Sequence, residues 1–271
     1  MDVAPWVPDD FWREWRQAVK ATRPDAITIA ETWFDASKYF LGDMFDSTMN
    51  YIFRNAVLDL AGGADAARAY RHIELMREAY PPQAFHALMN LLSSHDQARS
   101  LHVLGWRDAK APPEVVALAK RRLRLAVLFQ MSFPGAPAVY YGDEVGVTGG
   151  DDPYNRATYP WADLGGRPDM ALHAEFKRLI RMRHDHAVLR RGELMAPLHL
   201  DANVIVLARR LGDTWALTAT NNAQVARTVS VALPEGAAGR TFVDALGGTP
   251  LAVHDGRVTL VLPALDGLVA V

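Results

Sequence analysis

Over its first two-thirds the chain alternates short apolar runs, each closed by Gly, Pro or an acid, with longer stretches of helical periodicity. Such a pattern is satisfied by βα units, in which each strand is followed by a helix that packs back onto a mostly parallel sheet. Ala26-Ile27-Thr28-Ile29-Ala30 reads as a buried strand ending at Glu31. Met44 to Met49, Leu88 to Leu92 and Pro137 to Tyr141 read as three more, the last closed by Gly142. Pro8-Asp9-Asp10 starts a helix with Phe11, Trp15, Ala18 and Val19 spaced along one face. Further helices are expected over 64–79, between Pro82 and Leu88, and from Pro113 to about Met131, where Pro134-Gly135 stops the last.

After about Arg191 the texture changes. Val204–Leu207 and Trp215–Thr218 flank Gly212-Asp213, and Leu251–Val253 and Val258–Val261 flank Asp255-Gly256. Short β runs around turn pairs indicate an antiparallel sheet domain. The boundary falls near residue 190, giving an α/β unit over 1–190 and an antiparallel β domain over 191–271.

Composition narrows the chemistry. The 271 residues are 50% hydrophobic and 22% charged, with a formal net charge of −2, which gives no electrostatic argument for nucleic acid or an anionic membrane as partner. The run Lys120-Arg121-Arg122-Leu123-Arg124 reads as a solvated helix face. With no cysteine, disulfides, thiolate metal sites and cysteine nucleophiles are excluded. No apolar run is long enough to span a bilayer, and the N-terminus has no signal-peptide pattern, so a cytoplasmic chain is expected. His184 and His186, two apart on a helix, do not face each other, and Asp151-Asp152 lacks the spacing of a calcium loop, so no metal site is expected.

In a parallel α/β barrel, functional groups sit at the C-terminal ends of strands. Glu31 ends one strand, Asp96 follows another directly after His95, and Asp2 precedes a Pro-rich turn into a helix. Three such acids in one barrel converge on one mouth. Two carboxyl groups about 5–5.5 Å apart are what retaining glycoside hydrolysis uses, one as nucleophile and one as acid and then base.

The sequence around these acids resembles the α-amylase superfamily, glycoside hydrolase family 13. Ala30-Glu31-Thr32-Trp33 is similar to the Glu-x-Trp segment carrying the family's acid/base, and Asn90 to Asp96 to the segment ending in His-Asp. Phe133 to Glu144 looks like the passage through the eighth barrel strand, and Asp2-Val3-Ala4 like the end of the nucleophile segment. The resemblance implies Asp2 as nucleophile, Glu31 as acid/base, Asp96 as stabiliser of the oxocarbenium-like transition state and His95 as a sugar ligand. Phe11 to Trp15, Gly42 to Tyr51, and Asp152 to Arg156 with Pro160-Trp161 resemble the cyclomaltodextrinase, neopullulanase and maltogenic amylase group. That points to α-1,4 links of maltodextrins, cyclodextrins or pullulan as substrate, with Arg156 at the sugar site and no cofactor beyond the calcium some members hold. Trp33, Phe34, Tyr51 and Trp106 are candidates to stack on glucose rings. Glu31 is expected to have a raised pKa, from burial beside Trp33.

The resemblance also implies a fold: the C-terminal half of a TIM (β/α)8 barrel, from the end of the fourth strand, followed by an antiparallel β-sandwich. Segments belonging to the first three strands, and the Arg two residues before the nucleophile, have no position in this sequence. A truncated record is the simplest reading, with an Arg codon expected just upstream of Met1. The chain alone is then expected to be poorly soluble, with negligible hydrolase activity. Enzymes of this group often dimerise through an N-terminal domain, so the full-length protein is a candidate homo-oligomer. Transglycosylation and glucosyl isomerisation pass through the same covalent intermediate and stay open, as does a fragment that binds without turnover.

Overall fold

The computed structural model describes residues 1–271. Its first part comprises α1 (Asp9–Thr22), β1 (Ile29–Ala30), β2 (Ser47–Thr48), α2 (Tyr51–Gly62), α3 (Ala66–Ala79), α4 (Pro82–Ala87) and β3 (Met89–Leu91). There follow α5 (Ser100–Val103), α6 (Pro113–Ser132), β4 (Ala136–Ala138), α7 (Met170–Asp185) and α8 (Ala187–Arg191). β1 pairs with β2 in parallel, Met49 bridges to Met89 in parallel, and β3 pairs with β4 in parallel. The four strands therefore stand in sequence order with helices on one side, an arc of half a TIM barrel. Met1 adds a stub outside β1: its ammonium donates to the Ile29 carbonyl at 2.6 Å, and the Glu31 N–H donates to the Met1 carbonyl at 2.9 Å.

The strands are shorter than their apolar runs. Thr28 lies in the expected first strand, but its N–H donates to the Asp46 carboxylate at 2.9 Å instead of entering the ladder. Asp46 also accepts from Arg16 and Lys20 of α1, at 2.8 and 2.9 Å, so one carboxylate ties the helix to the start of β1. On α1 the buried face differs from expectation. Trp12 is buried, its indole donating to Ala4 O and its ring against Phe45, whereas Phe11 and Ala18 face solvent. The packed stripe is thus 12, 15, 16 and 19: Trp15 and Val19 keep the expected face, while Trp12 and Arg16 take the places of Phe11 and Ala18.

The C-terminal part begins with β5 (Glu193–Leu194), β6 (His199–Leu200), β7 (Val204–Leu211) and β8 (Thr214–Asn221). It continues with β9 (Arg227–Ala232), β10 (Phe242–Val243), β11 (Pro250–Leu251), β12 (Val253–His254), β13 (Arg257–Leu262) and β14 (Asp266–Ala270). One sheet runs β14-β8-β7-β5 with β6 beside β7, and a second runs β12-β13-β9. β7 and β8 form an antiparallel hairpin closed at Leu211 and Thr214 around Gly212-Asp213. The Asp255-Gly256 turn joins β12 to β13, while Leu251 pairs with Phe242 in a separate ribbon and not in that hairpin.

β7 is buried on both faces, which explains its unbroken apolar run. Val204, Val206 and Ala208 pack with Val258, Leu260 and Leu262 between the sheets. Ile205 and Leu207 join the core formed with the helices of the half-barrel. The sheet therefore seals one flank of the barrel arc. Asn222 fastens the join, its amide donating to Leu60 O and Ala64 O at the end of α2.

Candidate active site

The residues after the strand ends form one mouth. Asp2 follows the Met1 stub, Glu31 follows β1, and Asp96 lies on the loop after β3. Val3, with a left-handed backbone at φ 43°, turns its N–H onto Glu31 Oε2 at 3.0 Å. The Trp33 indole donates to Glu31 Oε1 at 3.0 Å. Asp2 lies beside Glu31, and Asp96 lies near enough to act on Asp2 through its charge.

Their proton affinities run opposite to expectation. The hydrogen bond to Glu31, with partial desolvation and the charges of Glu31 and Asp96, raises the Asp2 carboxyl above its ordinary value. Burial pushes Glu31 up, but hydrogen bonds from the Val3 amide and the Trp33 indole, the bond with Asp2 and the nearby His95 outweigh it, leaving Glu31 below the usual glutamate range. Trp33, expected to raise Glu31 by burying it, instead holds it ionised through its N–H.

His95 Nε2 lies 3.2 Å from Asp96 Oδ1, and Arg156 Nη2 lies 3.7 Å from the same oxygen. Arg156 also pairs with Asp152 at 2.7 Å and donates to the His95 carbonyl at 3.1 Å. Trp33 and Phe34 are exposed and border a cavity of about 390 Å³ beside Glu31. Tyr51 differs from its expected role. Its ring is buried under Trp33, with centroids 5.0 Å apart, and its hydroxyl bonds to Ser94 Oγ at 2.9 Å, so it supports the platform without offering a face. Trp106 goes elsewhere, under Lys120 and with its indole bonded to Asp108 O.

Sequence reasoning missed Trp6, 84% exposed on the wall of the same cavity, although Pro5-Trp6 stands four residues from Asp2. It also missed the support behind Asp96. Arg99 and Asp143, both buried, pair at 3.0 Å. Burial raises the Asp143 carboxyl to about 6 against the opposing pull of Ser93, Arg99 and Ser100. The Arg99 guanidinium lies over the Tyr140 and Tyr141 rings, at 4.4 and 4.8 Å from their centroids. No cluster of three or more potential metal-ligating side chains forms, and no helix is long and apolar enough to cross a membrane.

The family profile for the α-amylase catalytic domain matches residues 7–164, more than half of the chain. The chain belongs to the α-amylase family. It is 38% identical to neopullulanase 2 of Thermoactinomyces vulgaris over 99% of its length and 44% of that protein's. It is 36% identical to an amylopullulanase of Thermoanaerobacter thermohydrosulfuricus, over its whole length and 20% of that protein's. Among solved structures, a cyclomaltodextrinase aligns with a TM-score of 0.85 and 34% identity over all of this chain and 44% of that one. The chain thus spans less than half the length of each of these three relatives.

Proposed function

We propose that this chain carries the reacting carboxylates of a retaining hydrolase acting on α-1,4-linked glucans. The observation that carries the reading is the convergence of Asp2, Glu31 and Asp96, from the Met1 stub, the end of β1 and the loop after β3, on one mouth beside an aromatic wall. Asp2 attacks the anomeric carbon, the bond to the leaving oxygen breaks, and that oxygen takes a proton from Glu31. Water then attacks the same carbon, gives its proton to Glu31 and frees Asp2. Asp96 faces the positive charge that develops on the ring, a role suited to a fixed carboxylate. Maltodextrins, cyclodextrins and pullulan are the substrates that the names of the relatives suggest.

The order of proton affinities sets a condition. The first step needs Asp2 ionised and Glu31 protonated, whereas the resting site shifts each carboxyl away from that state. A sugar entering between the two carboxyl groups weakens their coupling, and a leaving group that needs no proton removes the demand on Glu31. α-Glucosyl fluoride is therefore expected to react faster than maltotriose. The 5-fluoro analogue of that fluoride should trap the covalent intermediate. Peptide mapping by mass spectrometry should then find the glycosyl group on Asp2, and Asp2→Asn should abolish it. Labelling of another carboxylate, or none at all, overturns the reading.

A further inference from the structure

We propose that Asn155 is the positioning residue for Asp96, clamping the main chain on both sides of that carboxylate from the loop that follows β4. The inference rests on the reading of Asp96 as a catalytic group. Its physical basis is a tight turn in which Ser94 and Gln97 pair across the loop and Asp96 stands near the tip. The Asp96 N–H donates to Ser94 Oγ at 3.1 Å, and Ser94 Oγ is held in turn by the Tyr51 hydroxyl. The Asn155 amide donates to the carbonyl before Asp96, His95 O at 2.9 Å, and to the carbonyl after it, Gln97 O at 3.1 Å. One planar group with two N–H donors thereby fixes the peptides flanking a single residue. Asn155 is fully buried while the Asp96 side chain stays 27% exposed, so the root of the carboxylate is fixed while its oxygens still meet the mouth.

Asn155 is itself held. Its carbonyl accepts from Arg99 Nε at 2.8 Å, and Arg99 is anchored by Asp143 and by the Tyr141 carbonyl at 2.7 Å. The Arg99 main-chain N–H donates to Gly149 O at 3.0 Å, and a methyl at Gly149 would run into the Tyr154 carbonyl. The 149–156 segment therefore lies flush against the back of the turn. Serine at 155 has one donor and alanine none, so neither reproduces the double clamp.

The test measures α-glucosyl fluoride turnover and thermal unfolding for the wild type, Asn155→Ala, Asn155→Ser, Asp96→Asn and the double variant Asn155→Ala/Asp96→Asn. Displacing a catalytic group by about 1 Å costs about 100-fold, so Asn155→Ala should lower kcat by about 10- to 100-fold. KM should stay within about threefold, as expected when ground-state binding is intact. Asn155→Ser should recover part of kcat, which also covers the case in which the alanine variant fails to fold. In the Asp96→Asn background, Asn155→Ala should add little, because both changes act on one group. A wild-type kcat in Asn155→Ala, or an equal loss in both backgrounds, overturns the proposal. If Asp96→Asn turns over like the wild type, or no variant turns over, the catalytic reading fails and the clamp is judged by NMR. Asn155→Ala should then shift the Asp96 and Gln97 amide resonances and leave those of Val258 and Leu260 in place, and unmoved Asp96 and Gln97 signals overturn it.

Discussion

At the scale of single residues, the site turns on which groups donate to Glu31. Hydrogen bonds to a carboxylate favour its charged form, so removing one raises the pKa. Trp33→Phe keeps an aromatic ring but loses the indole N–H that lies 3.0 Å from Glu31 Oε1. The Glu31 carboxyl should rise toward its ordinary value, enlarging the fraction of enzyme that holds Glu31 protonated with Asp2 ionised and so raising the maltotriose cleavage rate at the pH optimum. Carbon-13 titration of the Glu31 carboxyl reads the same change without turnover, and an unmoved midpoint in Trp33→Phe would contradict the assignment. Asp46 offers a stability counterpart. Bonds from Arg16, Lys20 and Thr28 outweigh partial burial and hold its carboxyl well below the usual carboxylate range. A depressed folded-state pKa contributes stability that is present above the unfolded value and lost as pH falls through the folded one. Asp46→Asn should cost about 2 kcal/mol at pH 7, as for hydrogen bonds to a charged group, and urea unfolding should show the gap shrinking below about pH 4. The gathering of Asp2, Glu31 and Asp96 at one mouth was legible in the sequence, because strand ends and local segments mark them. Their proton affinities were not, because these depend on an amide and an indole whose directions are set by a left-handed Val3 and by the packing of Trp33 on Tyr51.

At the scale of elements, the join between the half-barrel and the β domain is built on two buried arginines with no carboxylate between them. Arg183 of α7 donates to Met131 O, Phe133 O and Leu189 O at 2.7–2.9 Å and to Gly135 O at 2.5 Å. Arg209 of β7 donates to Ser132 O at 3.1 Å, to Gly192 O at 2.6 Å and to Leu189 O. Both cations thus sit at the C-terminal end of α6, where the helix dipole and unpaired carbonyls favour positive charge. Burial, with the repulsion of nearby arginines, lowers them to about 10 and about 9, so they remain charged at neutral pH. Arg183→Leu would leave several buried carbonyls without donors at about 1–3 kcal/mol each when uncompensated, so the total loss should exceed about 3 kcal/mol. Arg183→Lys should recover less than half, because an ammonium cannot reach four carbonyls spread around a planar fork. Equal melting temperatures for Arg183→Lys and the wild type would rule this out. None of this could be read from composition, since Arg183 looks like any charge near a helix end. Helix α2 escaped for a related reason: Tyr51, Phe53, Arg54, Ala56, Val57 and Leu58 are all buried, and only Asn55 and Asp59 mark a narrow outward stripe, too little to set the period. The β7–β8 hairpin was legible because its two-residue turn fixes the register by chain geometry alone.

At the scale of the whole molecule, an arc of four parallel strands has two edges. The β1 edge is met only by Met1, and β4 pairs with β3 alone. Unpaired strand edges invite pairing with other chains, more so where apolar side chains stand beside them. Val139, directly after β4, and Tyr141 are each about two-fifths exposed, and Ile27 before β1 is 57% exposed. On the strands themselves Ala30, Asn90 and Leu91 are buried, so the strands expose less than their edges do. The edges, more than the inner face, should therefore govern association. A lysine at an edge opposes strand addition by placing a charge where a partner strand would lie. Sedimentation velocity should show the purified chain associating with rising concentration, and Val139→Lys should shift it toward monomer without lowering the melting temperature, since Val139 packs little. If the wild type stays monomeric throughout, the edges are not a site of association. If Val139→Lys associates as the wild type does, the contact lies away from β4, and the β1 edge beside Ile27 becomes the segment to charge next.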